Sequence, residues 1–153
     1  MQKICDLYIP HILDDYSPLE YLHILEPHFT YDPEKSYQGY LNVNVRRITL
    51  VNFITEFRKR KMQIYNVPIQ YRDQANLSID QAFEYALKAI DLENYHITKT
   101  SFMGMDSPVV WRFPLSHLFE EKAGAGISVD KLDGHIWTME EIEEYDYDFN
   151  NFL

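Results

Sequence analysis

The sequence predicts an α+β fold, with an antiparallel β-meander packed against a small number of helices in a single domain of 153 residues. Three observations carry that prediction. The hydrophobic period switches from the helical 3.6 to the strand period of 2 at about Asn94. Asp133-Gly134 stands between two alternating apolar stretches, Ile127/Val129 and Ile136/Trp137, where Asp-Gly is a strong hairpin signal because glycine accepts a positive φ. Val109–Phe113 supplies a further apolar run beside that hairpin. A chain of this length buries about 70% of the surface its unfolded form exposes, so its core needs neither disulfide nor metal.

In chain order, Ile4–Leu13 is an apolar run broken by Pro10. Ser17-Pro18-Leu19-Glu20 reads as a helix start, with Ser17 as N-cap, Pro18 at the first helical position and Glu20 reaching back. Leu19, Leu22 and Ile24/Leu25 continue its apolar stripe until Pro27. Asp32–Lys35 is a turn. Tyr40–Val45 alternates as a half-buried strand does. Leu50, Phe53, Ile54 and Phe57 then recur at helical spacing, so Arg47–Lys61 is an amphipathic helix, or a strand followed by one, given the β-branched start at Ile48–Val51. Ile64–Val67 reads as a short strand ended by Pro68. Gln70–Leu77 is weakly patterned and marks the place for a subdivision into residues 1–75 and 76–153.

Ser78 and Gln81 form a capping box, and Ile79–Ile90 carries apolar residues along one helical face. Strands follow at Tyr95–Phe102, Val109–Phe113, Gly126–Asp130 and His135–Thr138, with a turn at Gly104–Pro108. Phe83, Leu87, Trp111, Phe113, Val129 and Ile136 are expected to share one core. Trp137, the strand neighbour of Ile136, should face the other way and be more exposed.

Charge narrows the function. Fourteen Lys and Arg against 24 Asp and Glu give a net charge of −10, with a pI near 4.9. Nucleic acid and anionic membranes need clustered cations, so neither is expected as a direct partner. Basic proteins, metal ions or no particular partner remain. Twelve tyrosines raise the aromatic share to 15%, which fits a binding face or simply a Tyr-biased composition. Cys5 is alone, which precludes an intramolecular disulfide. The N-terminal residues lack the pattern of a signal peptide, and no apolar stretch is long enough to span a bilayer. These features read as cytoplasmic and reduced.

No grammar of catalysis or metal binding accompanies the fold. The six histidines, His11, His23, His28, His96, His117 and His135, form no i, i+4 ligand pair. Cys5 sits in an apolar context and reads as a buried thiol. Gly124-Ala125-Gly126 runs into a strand and not a helix, unlike a phosphate-binding turn. Asp130 and Asp133 read as turn acids. An enzyme would have to assemble its site from dispersed residues, with Trp111, His117, Asp130 and His135 as its members. The expectation is therefore no catalytic residue, no metal and no cofactor.

The C-terminal charge pattern says more. After Lys131 there is no Lys or Arg, while Glu140, Glu141, Glu143, Glu144, Asp146 and Asp148 crowd together with Tyr145 and Tyr147 interleaved. Such a run is a solvated tail, or it is a partner-binding segment, since disordered tails are poor in aromatics. An acidic surface studded with tyrosine complements a basic, phosphate-binding one. These eight residues are the candidate partner-binding site. The basic run Arg58–Lys61 reads as a helix end paired with some of those acids.

The capped helix Ile79–Ile90, the strand after it, Trp111-Arg112-Phe113 and the hairpin Ile127-Ser-Val-Asp-Lys-x-x-Gly-x-Ile-Trp137 resemble the helix-plus-meander unit of PepSY-like bacterial proteins. They also resemble immunity proteins of bacterial polymorphic toxin systems. The resemblance covers about residues 79–145. It implies a protein without enzymatic activity that binds and blocks a cognate toxin, often a basic nuclease. The alternatives are the small enzyme with a dispersed site and an adaptor that binds a non-toxin partner.

Overall fold

A computed structural model describes residues 3–13, 15–60, 62–99, 107–118 and 125–149. The ends of the expected strand Tyr95–Phe102 and of the basic run at Lys61, most of the turn at Gly104–Pro108, and Gly124 lie outside them. The α+β class holds, with helices beside two antiparallel sheets. The chain forms two compact units. One comprises the residues up to Asp73 together with those from Glu143 onward, and the other runs from Gln74 to Ile142. The junction at Asp73/Gln74 falls within the weakly patterned stretch Gln70–Leu77.

The first unit is built on strand β1 (Ile4–Ile9), the apolar run that opens the chain. It pairs antiparallel with β4 (Tyr65–Pro68) along one edge. Along the other it pairs with β2 (Gly39–Tyr40) and β3 (Val45–Arg46). Cys5, Leu7 and Ile9 point to one face, where helix α2 (Arg47–Lys59) contributes Leu50, Phe53, Ile54 and Phe57 to a shared core. The helical reading of the 47–61 stretch is therefore the right one, with the strand confined to the two residues before it. Pro68 belongs to β4 and does not simply follow it. A proline is tolerated there because β4 is an edge strand, whose outer side makes no ladder bond.

Two expectations in this unit are corrected. Tyr40–Val45 is not one strand. Cys5 pairs with Val45 and Tyr8 with Tyr40, so two residues of β1 stand opposite the four residues 41–44. The surplus is a bulge, and Asn42 takes a left-handed conformation (φ 63°) within it. Ser17 also does not cap a helix. A 3-10 helix spans Ser17–Tyr21 and passes into the single α-turn α1 (Leu22–Leu25). The Asp15 carboxylate accepts from both the Ser17 amide (2.8 Å) and the Ser17 hydroxyl (3.0 Å). Leu19 and Leu22 are buried as the stripe requires, whereas Ile24 points to solvent. A further short helix, α3 (Gln70–Asp73), follows β4.

The second unit follows the expected order of elements, but the expected strand Tyr95–Phe102 ends at Ile97 and the expected Val109–Phe113 runs from Val110 to His117. Helix α4 (Ile79–Ala89) starts with both halves of the Ser78/Gln81 capping box formed, at 3.2 and 2.9 Å. A meander follows in the order β5 (Tyr95–Ile97), β6 (Val110–His117), β7 (Ala125–Asp130) and β8 (Ile136–Trp137). Trp111 pairs with Val129, and Val129 with Ile136, which puts all three on one face. There they join Phe113, Ile127 and Ile97, with Ala82 and Ala86 of α4 fully buried between them. Small residues on the helix let it approach the sheet closely. Phe83 meets Phe113 edge-on at 5.4 Å. The β7–β8 hairpin turns at Gly134 (φ 79°), where an added Cβ would lie 2.7 Å from the Tyr85 ring.

Phe113 is fully buried and Phe83 only partly so. Phe113→Ala should therefore cost about 3–5 kcal/mol in denaturant unfolding, and Phe83→Ala about 2 kcal/mol, because a half-exposed ring has less apolar surface to lose. Equal costs for the two would mean that α4 packs more deeply than this.

Candidate functional site

The acidic segment is helix α5 (Met139–Phe149). Its start is a capping box that the sequence displays but that the segment's charge obscures. The Thr138 hydroxyl accepts from the Glu141 amide (3.1 Å), and the Glu141 carboxylate accepts from the Thr138 amide (3.0 Å). Glu141 also meets His135 Nε2 at 2.7 Å. The Thr138 amide, and then His135, hold the Glu141 carboxyl below its ordinary range. Glu141 thus serves to start the helix.

Helical geometry sorts the remaining residues. Tyr145, Tyr147 and Phe149 alternate in sequence, which suggests a strand, but on a helix positions four apart share a face. Tyr145 and Phe149 stack at 4.6 Å. Phe149 is 3% exposed within the first unit's core, where Lys3 and Arg47 lie over its ring at 5.4 and 5.7 Å. The Tyr145 hydroxyl donates to the Asn66 carbonyl (3.1 Å), and burial drives its pKa well above the ordinary tyrosine value. The Arg47 guanidinium donates to the Asp148 carbonyl. Burial raises the pKa of Asp146.

Glu140, Glu143, Glu144 and Tyr147 fall at i, i+3, i+4 and i+7, on one side of α5, and all four are exposed. Tyr147 is 75% exposed. Of the eight candidate residues, these four form a free surface. Glu141 and Tyr145 are engaged within the fold, while Asp146 and Asp148 are half-buried. The basic end of α2 finds other acids: Arg60 pairs with Asp15 (3.1 Å) and Lys59 with Glu56 (3.4 Å).

Of the dispersed set, Asp130 and His135 meet across the β7–β8 hairpin, where the Asp130 amide donates to the His135 carbonyl (2.8 Å), but Trp111 is not brought to them. Trp111 and Asp130 project from opposite faces of the meander, since Asp130 pairs with Val110. The Trp111 indole donates to the Leu77 carbonyl (2.9 Å), and the Lys131 ammonium lies 4.3 Å from the ring centre. Asp130 accepts from the Leu132 amide (2.8 Å) and the Trp137 indole (3.0 Å), which fixes the hairpin. His135 is exposed beside Glu141. The His117 side chain lies outside the described residues.

Cys5 is fully buried, and burial pushes its thiol pKa up to about 12. A thiol so disfavoured as thiolate is no nucleophile at neutral pH. Among the described residues, no three His, Cys, Asp or Glu are grouped to hold a metal ion, and no helix is long and apolar enough to cross a membrane. The first unit does carry a polar cleft of about 520 Å³ between residues 26–30 and 35–44.

No family model matches the chain, and neither a curated protein nor a solved structure matches it either.

The division of α5 into a buried and a free face is measurable. Tyr145→Ala should destabilise the protein by about 2–3 kcal/mol, since its ring is partly buried against the first unit's core, and Tyr145→Phe by about 1 kcal/mol for the lost hydrogen bond. Tyr147→Ala should stay within about 0.5 kcal/mol of the parent. Denaturant unfolding of the three variants checks the order.

Proposed function

We propose that this chain is a cytoplasmic binding protein without enzymatic activity, an immunity protein that neutralises a basic toxin domain by direct contact. The supporting observation is the free face of α5, where Glu140, Glu143 and Glu144 share one side of the helix with Tyr147, an aromatic side chain that is 75% exposed. No cation follows Lys131 in the sequence to offset those acids, and the whole chain carries −10. A field of that sign steers a cationic surface toward the helix, and Tyr147 supplies the apolar contact that retains it. Among the described side chains of the dispersed set, Trp111, Asp130 and His135 are engaged in core, hairpin and cap, which favours a binding role over chemistry.

The two kinds of side chain should act on different rates. Changing Glu140, Glu143 and Glu144 together to Gln should slow association with the toxin encoded beside the gene. The effect should be large at low ionic strength and small at high salt. Tyr147→Ala should mainly speed dissociation, by roughly 30-fold or more if it is a hot spot worth about 2 kcal/mol. Stopped-flow or surface-binding kinetics would read both. An unchanged association rate at low salt for the triple variant, with its fold intact, would remove α5 from the interface.

A further inference from the structure

The polar cleft of the first unit has two amide side chains held in place from behind. The Gln38 Nε2 group donates to the Pro10 carbonyl (3.2 Å), which leaves its Oε1 as an acceptor. The Asn44 Oδ1 atom accepts from Arg72 Nη2 (2.8 Å), which leaves its NH2 group as a donor. Arg72 is itself fixed by Asp73 (2.7 Å), the Val43 carbonyl (3.0 Å) and buried Asp6 (3.2 Å). A donor and an acceptor thus line one cleft, each oriented before anything binds. Half-buried Phe29 and Tyr40 add ring surface, and Thr30 and Ser36 add hydroxyls.

We propose that this cleft binds a small neutral saccharide. Its volume of about 520 Å³ lies within the usual range for small-molecule sites. Its lining carries Glu26 against Lys35, and Lys35 lies over the Tyr37 ring at 5.4 Å, so no excess charge selects an ion. A sugar hydroxyl both donates and accepts. Gln38 is anchored at Pro10 and Asn44, through Arg72, at Asp6, four residues apart along β1, so hydroxyls on successive rings of a disaccharide can accept from Asn44 and donate to Gln38, while the C–H face of a ring lies against an aromatic side chain. Preorientation of both amides removes part of the entropic cost of holding such a ligand. A peptide segment could meet the same two amides, but the hydroxyl and aromatic lining favours the sugar.

This inference does not depend on the inhibitor role and is tested without a partner protein. The full chain, isotope-labelled, is titrated with glucose, N-acetylglucosamine, maltose and lactose to about 20 mM, a range that detects millimolar affinity. At least one sugar should saturate, with amide shifts concentrated at residues 26–44. Gln38→Ala should weaken it about three- to tenfold, the worth of one net hydrogen bond, with a fall of only a few degrees in melting temperature for the lost bond to the Pro10 carbonyl. Thr30→Ala, which removes one lining hydroxyl, serves if the Gln38 variant folds poorly and should weaken it by a similar factor. The proposal fails if no sugar shifts these resonances, or if the affinity survives in the well-folded variant. It also fails if a blocked oligoalanine peptide shifts them and the sugars do not.

Discussion

The Asp6 carboxylate is the point on which the first unit depends. It is fully buried on the face of β1 opposite α2, and every acceptor direction it offers is in use. Its Oδ1 takes the amides of Leu7 (2.7 Å) and Val43 (3.0 Å), and its Oδ2 takes the amide of Asn42 (3.0 Å) and the Arg72 guanidinium (3.2 Å). Where the β1 ladder is interrupted by the 41–44 bulge, this side chain replaces the missing backbone partners. A buried amide left unpaired there would cost about 1–3 kcal/mol. The same atoms place Arg72, and through it Asn44 at the cleft.

Burial raises the pKa of Asp6, against the pull of its hydrogen bonds. The cost of taking the charge out of water is therefore not fully returned, as is common for buried pairs. What the arrangement supplies is register. An apolar residue at position 6 could satisfy neither the amides of the bulge nor Arg72, and β2 and β3 could then slide along β1. The contribution is specificity more than net stability, and it is local to the first unit.

Much of this was legible in the sequence, and unevenly so. The second unit follows local rules: the Ser78/Gln81 box, the alternation about Val129 and Ile136, and the Asp133-Gly134 turn each act over a few residues. The first unit rests on distant contacts. Nothing near Asp6 announces that its partners are at 42, 43 and 72, and the bulge that breaks Tyr40–Val45 exists because of them. For the acidic segment the sequence displays the charge run but not the conformation that carries it. Alternating aromatics look like a strand, whereas Thr138-x-x-Glu141 starts a helix and sends Tyr145 and Phe149 inward. That capping signal was present in the residues. The pairing of Gln38 with the Pro10 carbonyl and of Asn44 with Arg72, which shape the cleft, was not.

The claim that one buried carboxylate sets the geometry of the first unit is tested most directly by a double-mutant cycle on Asp6→Asn and Arg72→Gln, read by denaturant unfolding. Breaking one member of a buried pair should cost about 3–5 kcal/mol in each single variant. The double variant should recover about 1–3 kcal/mol of the summed cost, because the two groups act on each other. Single costs under about 1 kcal/mol that simply add would contradict the account, since they would show the bulge and its neighbours held by other contacts.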